Sequence, residues 1–272
     1  MSSNVWHTVQ LARHPDRPLT LDYIGALCRG FQELHGDRRF GDDAALIGGV
    51  ARFAGRGVVV LGHQRGRTTR ENIVRRFGMP QAEGYRKALR LMRHAEKFRL
   101  PLFCFIDTSG AYPGVESEER GQATAIAESI LGMVELQTPS IAVIIGEGGS
   151  GGALAIGAAD CILMQQHAIY SVASPEACAS ILWRDASKAP QAASNMRITA
   201  ADLLHFQIID DIIAEPPGGA HCEPDQAIQS VHDALLRHLI RLEQMCEDGP
   251  NALAELVQAR YARFRRIGMW RE

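Results

Sequence analysis

Three segments of the chain share one order of apolar and polar positions. Each starts with four or five successive apolar residues and ends at a turn that contains glycine; the apolar runs are residues 58–61, 102–106 and 141–145. Apolar residues at successive rather than alternating positions are typical of strands that are buried on both faces of a sheet. The pattern therefore predicts an α/β domain with these three strands at its centre.

Helical spacing of apolar residues follows each of these runs. The helices predicted from this spacing cover residues 80–98, 118–136 and 150–159. The third is apolar on nearly all sides, so we expect it to be buried. A strand, a turn and a helix that recur about every 40 residues predict parallel βαβ units with right-handed crossovers.

The rest of the chain has a different pattern, with a Pro-Pro-Gly-Gly break at 216–219. The further predicted elements are strands at 161–164, 168–172 and 208–213, a helical region at 175–206, and two amphipathic helices between 224 and 266 that are separated by Asp248, Gly249 and Pro250. We therefore divide the chain into three parts, which are an N-terminal helical segment (1–40), a core (41–223) and C-terminal helices (224–272).

Composition narrows the functional classes. The chain has 272 residues, 46% of them apolar and 22% charged, and a net charge of −2 at pH 7. General binding to nucleic acid or a membrane surface needs a strong basic excess, so neither is expected. Six widely spaced cysteines without a Cys-x-x-Cys pair do not indicate a zinc site or a disulfide scaffold. Without a signal-peptide pattern or an apolar run of about 20 residues, we expect a cytoplasmic protein that binds no metal.

The segment GEGGSGGALAIG at 146–157 matches two known motifs. Gly146, Gly148 and Gly151 have the spacing of the dinucleotide-binding fingerprint, after a predicted strand and before a predicted helix. That fingerprint also needs an acidic residue about 20 residues further on, at the end of the next strand, and residues 162–170 contain none. The Gly-Lys-Ser/Thr sequence of a P-loop is also absent. Dinucleotide binding is therefore disfavoured.

The second motif is the nucleophile elbow of serine hydrolases, whose spacing Gly148, Ser150 and Gly152 share. Acidic and histidine partners follow in the required order, and the candidates are Asp185, Asp202, His205 and His221. In an elbow the strand runs directly into the first glycine, whereas Gly146 and Glu147 stand here between the apolar run and Gly148. The elbow is disfavoured on this ground but stays an alternative.

A third interpretation uses the main chain of the same turn. Five glycines in seven residues at a helix N-terminus expose backbone N–H groups that no side chain shields, and such groups bind oxyanions. Tight helix–sheet packing also explains glycines in one turn alone. Glycine follows the neighbouring strands too, at 107–114 and 62–67, which places three such turns at the carboxyl edge of one sheet, where α/β proteins bind ligands. The sequence therefore favours a binding site at this edge.

Several longer stretches together carry a resemblance to a known family. They are GHQRGR at 62–67, FGMPQAEGYRKALRLM at 77–92, DTSGAYPGVESEERGQ at 107–122, IGEGGSGGALAIG at 145–157, SPEACASILWRDASKAP at 174–190 and PPGGAH at 216–221. In this order they closely resemble the carboxyltransferase α subunits of bacterial acetyl-CoA carboxylase, from about residue 11 to residue 221 and more loosely to the end. The resemblance implies a ClpP/crotonase-like superhelix of ββα units, with residues 41–223 as the carboxyltransferase core.

The same resemblance implies an activity and its partners. The expected reaction moves a carboxyl group from carboxybiotin, held on a separate biotin carboxyl carrier protein, to acetyl-CoA, which gives malonyl-CoA for fatty acid biosynthesis. The expected partner is a carboxyltransferase β subunit that carries a zinc ribbon, in an α2β2 heterotetramer.

Two oxyanions form in that reaction, one on the ureido oxygen of biotin and one on the thioester enolate, and both need fixed hydrogen-bond donors. The resemblance places these donors at the backbone amides of Gly151 and Gly152. The residues expected to contact carboxybiotin are Gly148, Gly149 and Ser150 in the turn itself and Gly110 and Ala111 in an opposite wall.

Other residues leave alternatives open. Ser109 stands where the family usually has proline, and Cys222 where a basic residue is usual. The arginines at positions 65, 67, 70, 75 and 76 either meet CoA phosphates or the carrier protein, or form a solvated face. His63 and His221 are either polar site residues or structural histidines. Two other functions also stay open, a stand-alone crotonase-type hydrolase or hydratase and a non-catalytic scaffold subunit.

Overall fold

The computed structural model describes residues 5–247, 249 and 251–268. In these residues, eight strands form one sheet with α-helices on both of its faces. The strands are β1 Cys28–Glu33, β2 Leu46–Phe53, β3 Arg56–His63, β4 Leu102–Thr108, β5 Ser140–Gly149, β6 Cys161–Gln165, β7 Ile169–Ser171 and β8 Asp211–Ile213. The helices are α1 Val5–Ala12, α2 Thr20–Leu27, α3 Thr69–Val74, α4 Ala82–Phe98, α5 Val115–Glu119, α6 Gln122–Glu135, α7 Ser150–Gly157, α8 Pro175–Trp183, α9 Ala189–Met196, α10 Ala200–His205, α11 Pro224–Glu247 and α12 Ala252–Arg265.

The sheet combines an antiparallel edge with a parallel centre. β1, β2 and β3 pair antiparallel in chain order, and β3, β4, β5, β6 and β8 then pair in parallel. β7 pairs with the far end of β5, where Tyr170 lies opposite Gly148. The three runs predicted as central strands are thus confirmed. Because β3, β4 and β5 are parallel neighbours, the three glycine-containing turns that follow them lie at one edge of the sheet.

Alternate residues of the central strands bury their side chains on opposite faces of the sheet. On one face, Leu61, Cys104 and Ile144 pack against α4, α6 and α7. On the other face, Phe105 and Val143 pack against α2 and the C-terminal helix α11. Each large apolar side chain buried in this way contributes about 1.5–3 kcal/mol. These two layers fix the strands whose ends carry the turns.

Two predicted helical regions differ from the structure. The segment 1–40, predicted to be helical, contains α1 and α2 but also β1, because residues 28–33 pair with β2 at the edge of the sheet. The helix predicted at 118–136 is divided into α5 and α6, because Gly121 between them has a left-handed φ of 79°. The helical region at 175–206 is confirmed as α8, α9 and α10 with a short 3₁₀ turn.

Two C-terminal predictions have different outcomes. Of the strand predicted at 208–213, only residues 211–213 form a strand, which is β8. The two C-terminal helices are confirmed as α11 and α12. Asp248 and Pro250, predicted to separate these helices, lie outside the described residues. Among the residues that the structure describes, no helix is long and apolar enough to cross a membrane.

β5 is longer than its apolar run predicts. It continues through Gly149, because its last residues pair with β7. The strand therefore runs directly into Ser150, the first residue of α7. There is no interruption at Gly146 and Glu147, so this ground against a nucleophile elbow is wrong.

Candidate active site

The turn between β5 and α7 places backbone donors at the edge of the sheet. Gly149 ends the strand, and Ser150, Gly151 and Gly152 form the first turn of the helix. The first N–H groups of a helix have no acceptor within the helix and carry the positive end of its dipole. Gly151 is partly exposed and Gly152 is buried. The turn therefore presents a small electropositive surface that is built from the main chain.

Ser150 adopts an unusual backbone conformation in this turn. Its φ is 57°, in the left-handed region, and its side chain is exposed. This conformation costs a residue other than glycine about 1–2 kcal/mol. Such strain persists only where the surrounding structure holds it, and it occurs preferentially at functional sites.

The predicted partners of a nucleophilic serine are not assembled around Ser150. In the described part of the chain, no hydrogen bond joins its hydroxyl to a histidine. The candidate partners have other contacts: Asp185 accepts from Ser187, Asp202 bonds Thr199 and Arg197, His205 lies against Phe206, and the His221 ring stacks on His14 at 3.7 Å. The strand-to-helix geometry of an elbow is present, but its base is not.

The turn after β4 lies directly against the turn after β5. A Cβ added at Gly152 would come within 2.6 Å of the Gly110 carbonyl carbon and 2.7 Å of the Ala111 nitrogen. A Cβ added at Gly149 would overlap the Ser109 carbonyl. The two turns thus pack backbone to backbone, which requires glycine at both positions. Gly110 and Ala111 adjoin Gly152 directly, and their role as a wall of the carboxybiotin site stays a prediction.

Thr108 determines which amide of this second turn stays free. Its hydroxyl accepts from the Gly110 amide at 3.1 Å and donates to the Gly110 carbonyl at 2.7 Å. The Tyr112 amide donates to the Pro80 carbonyl at 3.0 Å. Between them, the Ala111 amide has no hydrogen-bond acceptor in the described ranges. The free donor of this turn therefore lies beside Gly152.

Charged side chains join the strand ends that carry the turns. The buried carboxylate of Glu147 accepts from Arg13 at 2.7 Å and from Arg65 at 3.3 Å. Asp107 accepts from the Glu147 amide at 3.0 Å and pairs with Arg65 at 3.1 Å. Burial raises the pKa of Asp107, and the Arg65 charge opposes this shift. Sequence reasoning did not identify Arg13 or Glu147, because charged residues at the ends of elements usually indicate a solvated surface.

The five arginines that follow β3 do not form one solvated basic face. Four of them have fixed partners: Arg65 pairs with Asp107 and Glu147, Arg67 with Asp22 and Arg76 with Asp43, while Arg75 donates to the Ala44 carbonyl. Of the five, Arg70 alone has a side chain without an ion pair or hydrogen bond among the described residues. A role toward CoA phosphates or a carrier protein thus stays a prediction.

Two buried polar side chains lie beneath Gly152. His63 is 1% exposed beside the Gly152 and Phe105 backbones, and burial lowers its pKa to about 3. A Cβ added at Gly152 would come within 2.9 Å of the Tyr85 hydroxyl. The Tyr85 hydroxyl has no hydrogen-bond partner among the described residues, whereas the His63 ring interacts with the Gly152 and Phe105 backbones. His63 is therefore a neutral, buried group that supports the turn from inside the protein.

An apolar groove of about 980 Å³ opens beside Ser150 and Gly151. Its walls include Leu154, Val172, Ile181, Leu182, Phe206 and Phe264. Val172 is 83% exposed and Ile181 77% exposed. A continuous exposed apolar surface of this kind is typical of a protein interface. The sequence did not predict the groove, because apolar residues at helical spacing were expected to face the core.

Comparisons with known proteins agree with these features. The family model described as acetyl co-enzyme A carboxylase carboxyltransferase-like matches residues 2–268. The acetyl-coenzyme A carboxylase carboxyl transferase subunit alpha of Thioalkalivibrio sulfidiphilus is 56% identical over 269 residues, which are 99% of this chain and 82% of the relative. The same subunit of Heliobacterium modesticaldum is 56% identical over 264 residues, which are 97% of this chain and 77% of the relative.

The chain belongs to the family of carboxyltransferase α subunits of acetyl-CoA carboxylase. The predicted family and the predicted function as a carboxyltransferase component are therefore confirmed.

Solved structures of two other enzymes share the fold of this carboxyltransferase α subunit. Transcarboxylase 12S superposes with a TM-score of 0.66 at 18% identity, over 87% of this chain and 45% of that longer chain. A chain of a Pseudomonas malonate decarboxylase hetero-tetramer superposes with a TM-score of 0.62 at 17% identity, over 84% of this chain and 91% of that chain. The predicted crotonase-like α/β fold is confirmed.

Proposed function

We propose that the Gly151 and Gly152 amides, with the Ala111 amide beside them, hold an oxyanion during carboxyl transfer from carboxybiotin to acetyl-CoA. The observation that supports this assignment is the contact of two glycine turns backbone to backbone, with free N–H groups at the start of α7. Preorganised donors of this kind stabilise developing negative charge without the cost of reorientation. Carboxybiotin, on a separate biotin carboxyl carrier protein, supplies the carboxyl group.

The other predicted contacts have a supporting role in this proposal. A Cβ at Gly151 would meet only Ile126, at 3.5 Å, so this side of the turn has open space. Gly148 lies against the Tyr170 ring and Gly149 against Ser109, so both glycines shape the turn. The exposed hydroxyl of Ser150 lies at the mouth of the site.

The groove beside Ser150 supports a second part of the proposal. A β subunit seated there covers the exposed apolar residues and closes the site against water. In this proposal the β subunit carries a zinc ribbon and binds acetyl-CoA, and the two kinds of subunit form an α2β2 heterotetramer. A cytoplasmic location and fatty acid biosynthesis belong to the same proposal, as does the division of the chain at residues 40 and 223.

Malonyl-CoA decarboxylation in the presence of biotin and a β subunit tests the site. The variant Gly152→Ala should lower kcat/KM by about 100- to 1000-fold, because the added Cβ displaces the two turns and with them the donors. The matched control is Gly25→Ala in α2, because an added Cβ there meets nothing within 4 Å and the residue lies outside the site. Equal activity of both variants and the wild type would favour a scaffold subunit without a catalytic role.

A hydrolase is the second candidate function. One observation favours it, namely that β5 runs directly into the strained, exposed Ser150 as in a nucleophile elbow. Thioester hydrolysis by the isolated chain, without biotin or a β subunit, would support this candidate.

A further inference from the structure

The strained turn at Ser150 needs a restraint on each side. On the helix side, Gly152 is wedged against Gly110 and Ala111. On the strand side, the end of β5 itself has to be held, because strain of this kind relaxes where the surroundings allow it. The last side chain of β5 before the turn, across Gly148 and Gly149, is that of Glu147.

Glu147 connects the end of β5 to three other segments. Its carboxylate accepts two hydrogen bonds from Arg13, next to α1, at 2.7 and 3.2 Å. It also accepts from Arg65, which follows β3, at 3.3 Å. Its own amide donates to Asp107 in β4 at 3.0 Å. The side chain is 6% exposed, so these contacts are shielded from solvent.

The charge balance leaves both arginines paired when this carboxylate is removed. Arg13 also pairs with Glu176 of α8 at 2.7 Å, and Arg65 also pairs with Asp107 at 3.1 Å. Two arginines therefore meet three carboxylates. Without the charge at Glu147, each arginine keeps one partner, and no buried charge is left unpaired.

We infer that Glu147 is a positioning residue, which clamps the end of β5 so that the strained turn at Ser150 keeps its amides free to donate. The inference rests on the proposed function of that turn. It adds that the clamp extends through Arg13 and Glu176 to α8, one wall of the apolar groove. Occupation of the groove and the geometry of the turn are thereby linked.

The test uses Glu147→Gln together with a β subunit in the malonyl-CoA decarboxylation assay. Glutamine keeps the size and the acceptor but not the charge, so we expect kcat to fall about 100-fold through misplacement of the donors, with little change in KM. The matched control is Glu243→Gln, which removes a carboxylate paired with Arg56 at 2.9 Å at the other end of β3 and leaves kcat unchanged. Unchanged kcat in Glu147→Gln overturns the inference.

A second substitution separates positioning from a direct role in the reaction. Glycine adopts a φ of 57° without strain, so Ser150→Gly in the Glu147→Gln background should restore kcat at least about tenfold. No recovery in the double variant overturns the inference. If Glu147→Gln does not fold, Arg13→Lys tests the same clamp, because lysine keeps the charge but loses the two-pronged contact, and Ser150→Gly should relieve its loss as well.

Amide hydrogen exchange of the segment 146–157 gives a readout that needs no substrate. In the isolated chain, Glu147→Gln should speed exchange in this segment, whereas Glu243→Gln should not. Faster exchange in a chain that performs no carboxyl transfer would contradict the proposed function and leave the clamp intact. Unchanged exchange in Glu147→Gln contradicts the clamp whatever the activity.

Discussion

Two arginine clusters at opposite ends of the parallel strands differ in burial. At the carboxyl end, Arg13 and Arg65 share the Glu147 carboxylate, and the Arg13 side chain is 28% exposed. At the amino end, the Arg260 side chain from α12 is fully buried and binds both oxygens of Asp160 at 2.8 Å. The first set holds a turn whose own amides stay free. In the second set, all three guanidinium nitrogens of Arg260 donate hydrogen bonds.

The contacts of Arg260 give this side chain a structural role. Besides Asp160, the guanidinium donates to the Met133 and Leu136 carbonyls, both at 2.8 Å, at the C-terminus of α6. Asp160 in turn accepts from the Ser140 amide at 2.8 Å, at the start of β5. One side chain thus joins a C-terminal helix, a core helix and the sheet. We therefore expect stability to depend most on the amino end and activity most on the carboxyl end.

Removal of Arg260 should give the largest effect on stability. The variant Arg260→Met leaves Asp160 as a buried charge without its partner, which typically costs about 3–5 kcal/mol. Urea unfolding, followed by circular dichroism, measures this loss. The exposed Arg265 of the same helix gives the control, because Arg265→Met should change the free energy of unfolding by less than about 0.5 kcal/mol.

The activity of Arg260→Met tests the same comparison between the two ends of the strands. At a temperature where Arg260→Met is still folded, kcat per folded molecule should equal that of the wild type. A loss of kcat without a loss of stability would mean that contacts at the amino end also determine the geometry of the active site.

A pH-dependent contribution to stability belongs to the carboxyl end. Burial alone would raise the pKa of Glu215, but the hydrogen bond to His167 and the Arg17 charge lower it to about 2, from 4.5 in an exposed carboxyl. Because the folded-state pKa is lowered, this stabilisation is present above about pH 4.5 and is lost as the pH falls toward 2. A shift of this size corresponds to about 3 kcal/mol.

Unfolding midpoints at pH 7, pH 4.5 and pH 2.5 measure this contribution. The variant Glu215→Gln should be less stable than the wild type at pH 7 and should lose less stability on acidification. Parallel losses in the two proteins would show that other carboxylates dominate the acid response.

The strands at the centre of the sheet could be predicted from the sequence, because burial on both faces leaves a continuous apolar run such as 141–145. The last part of β5 could not, since its glycines become strand through pairing with β7, which lies about 20 residues further along the chain. β1 has a polar sequence, and its pairing with β2 makes it a strand.

The same contrast applies to the site. Glycine density predicted a backbone turn at 148–152, because few other features require so many glycines at a helix start. The clamp at Glu147 and the pair of Arg260 with Asp160 were not predicted, because a sequence does not show which charged residues become buried together. The arginines and carboxylates that pair in these two sites lie between 82 and 134 residues apart.

The smallest expected effect concerns the residue that most resembles a catalyst. The variant Ser150→Ala should change kcat of the complex with a β subunit by less than about threefold, because alanine keeps the backbone amides that the proposal uses. A serine nucleophile would lose nearly all activity, by as much as about a millionfold in hydrolases that depend on one. The decarboxylation assay and a thioester hydrolysis assay on the same preparation separate these outcomes. A large loss in either assay would assign the catalytic role to the Ser150 hydroxyl and not to the backbone amides of the turn.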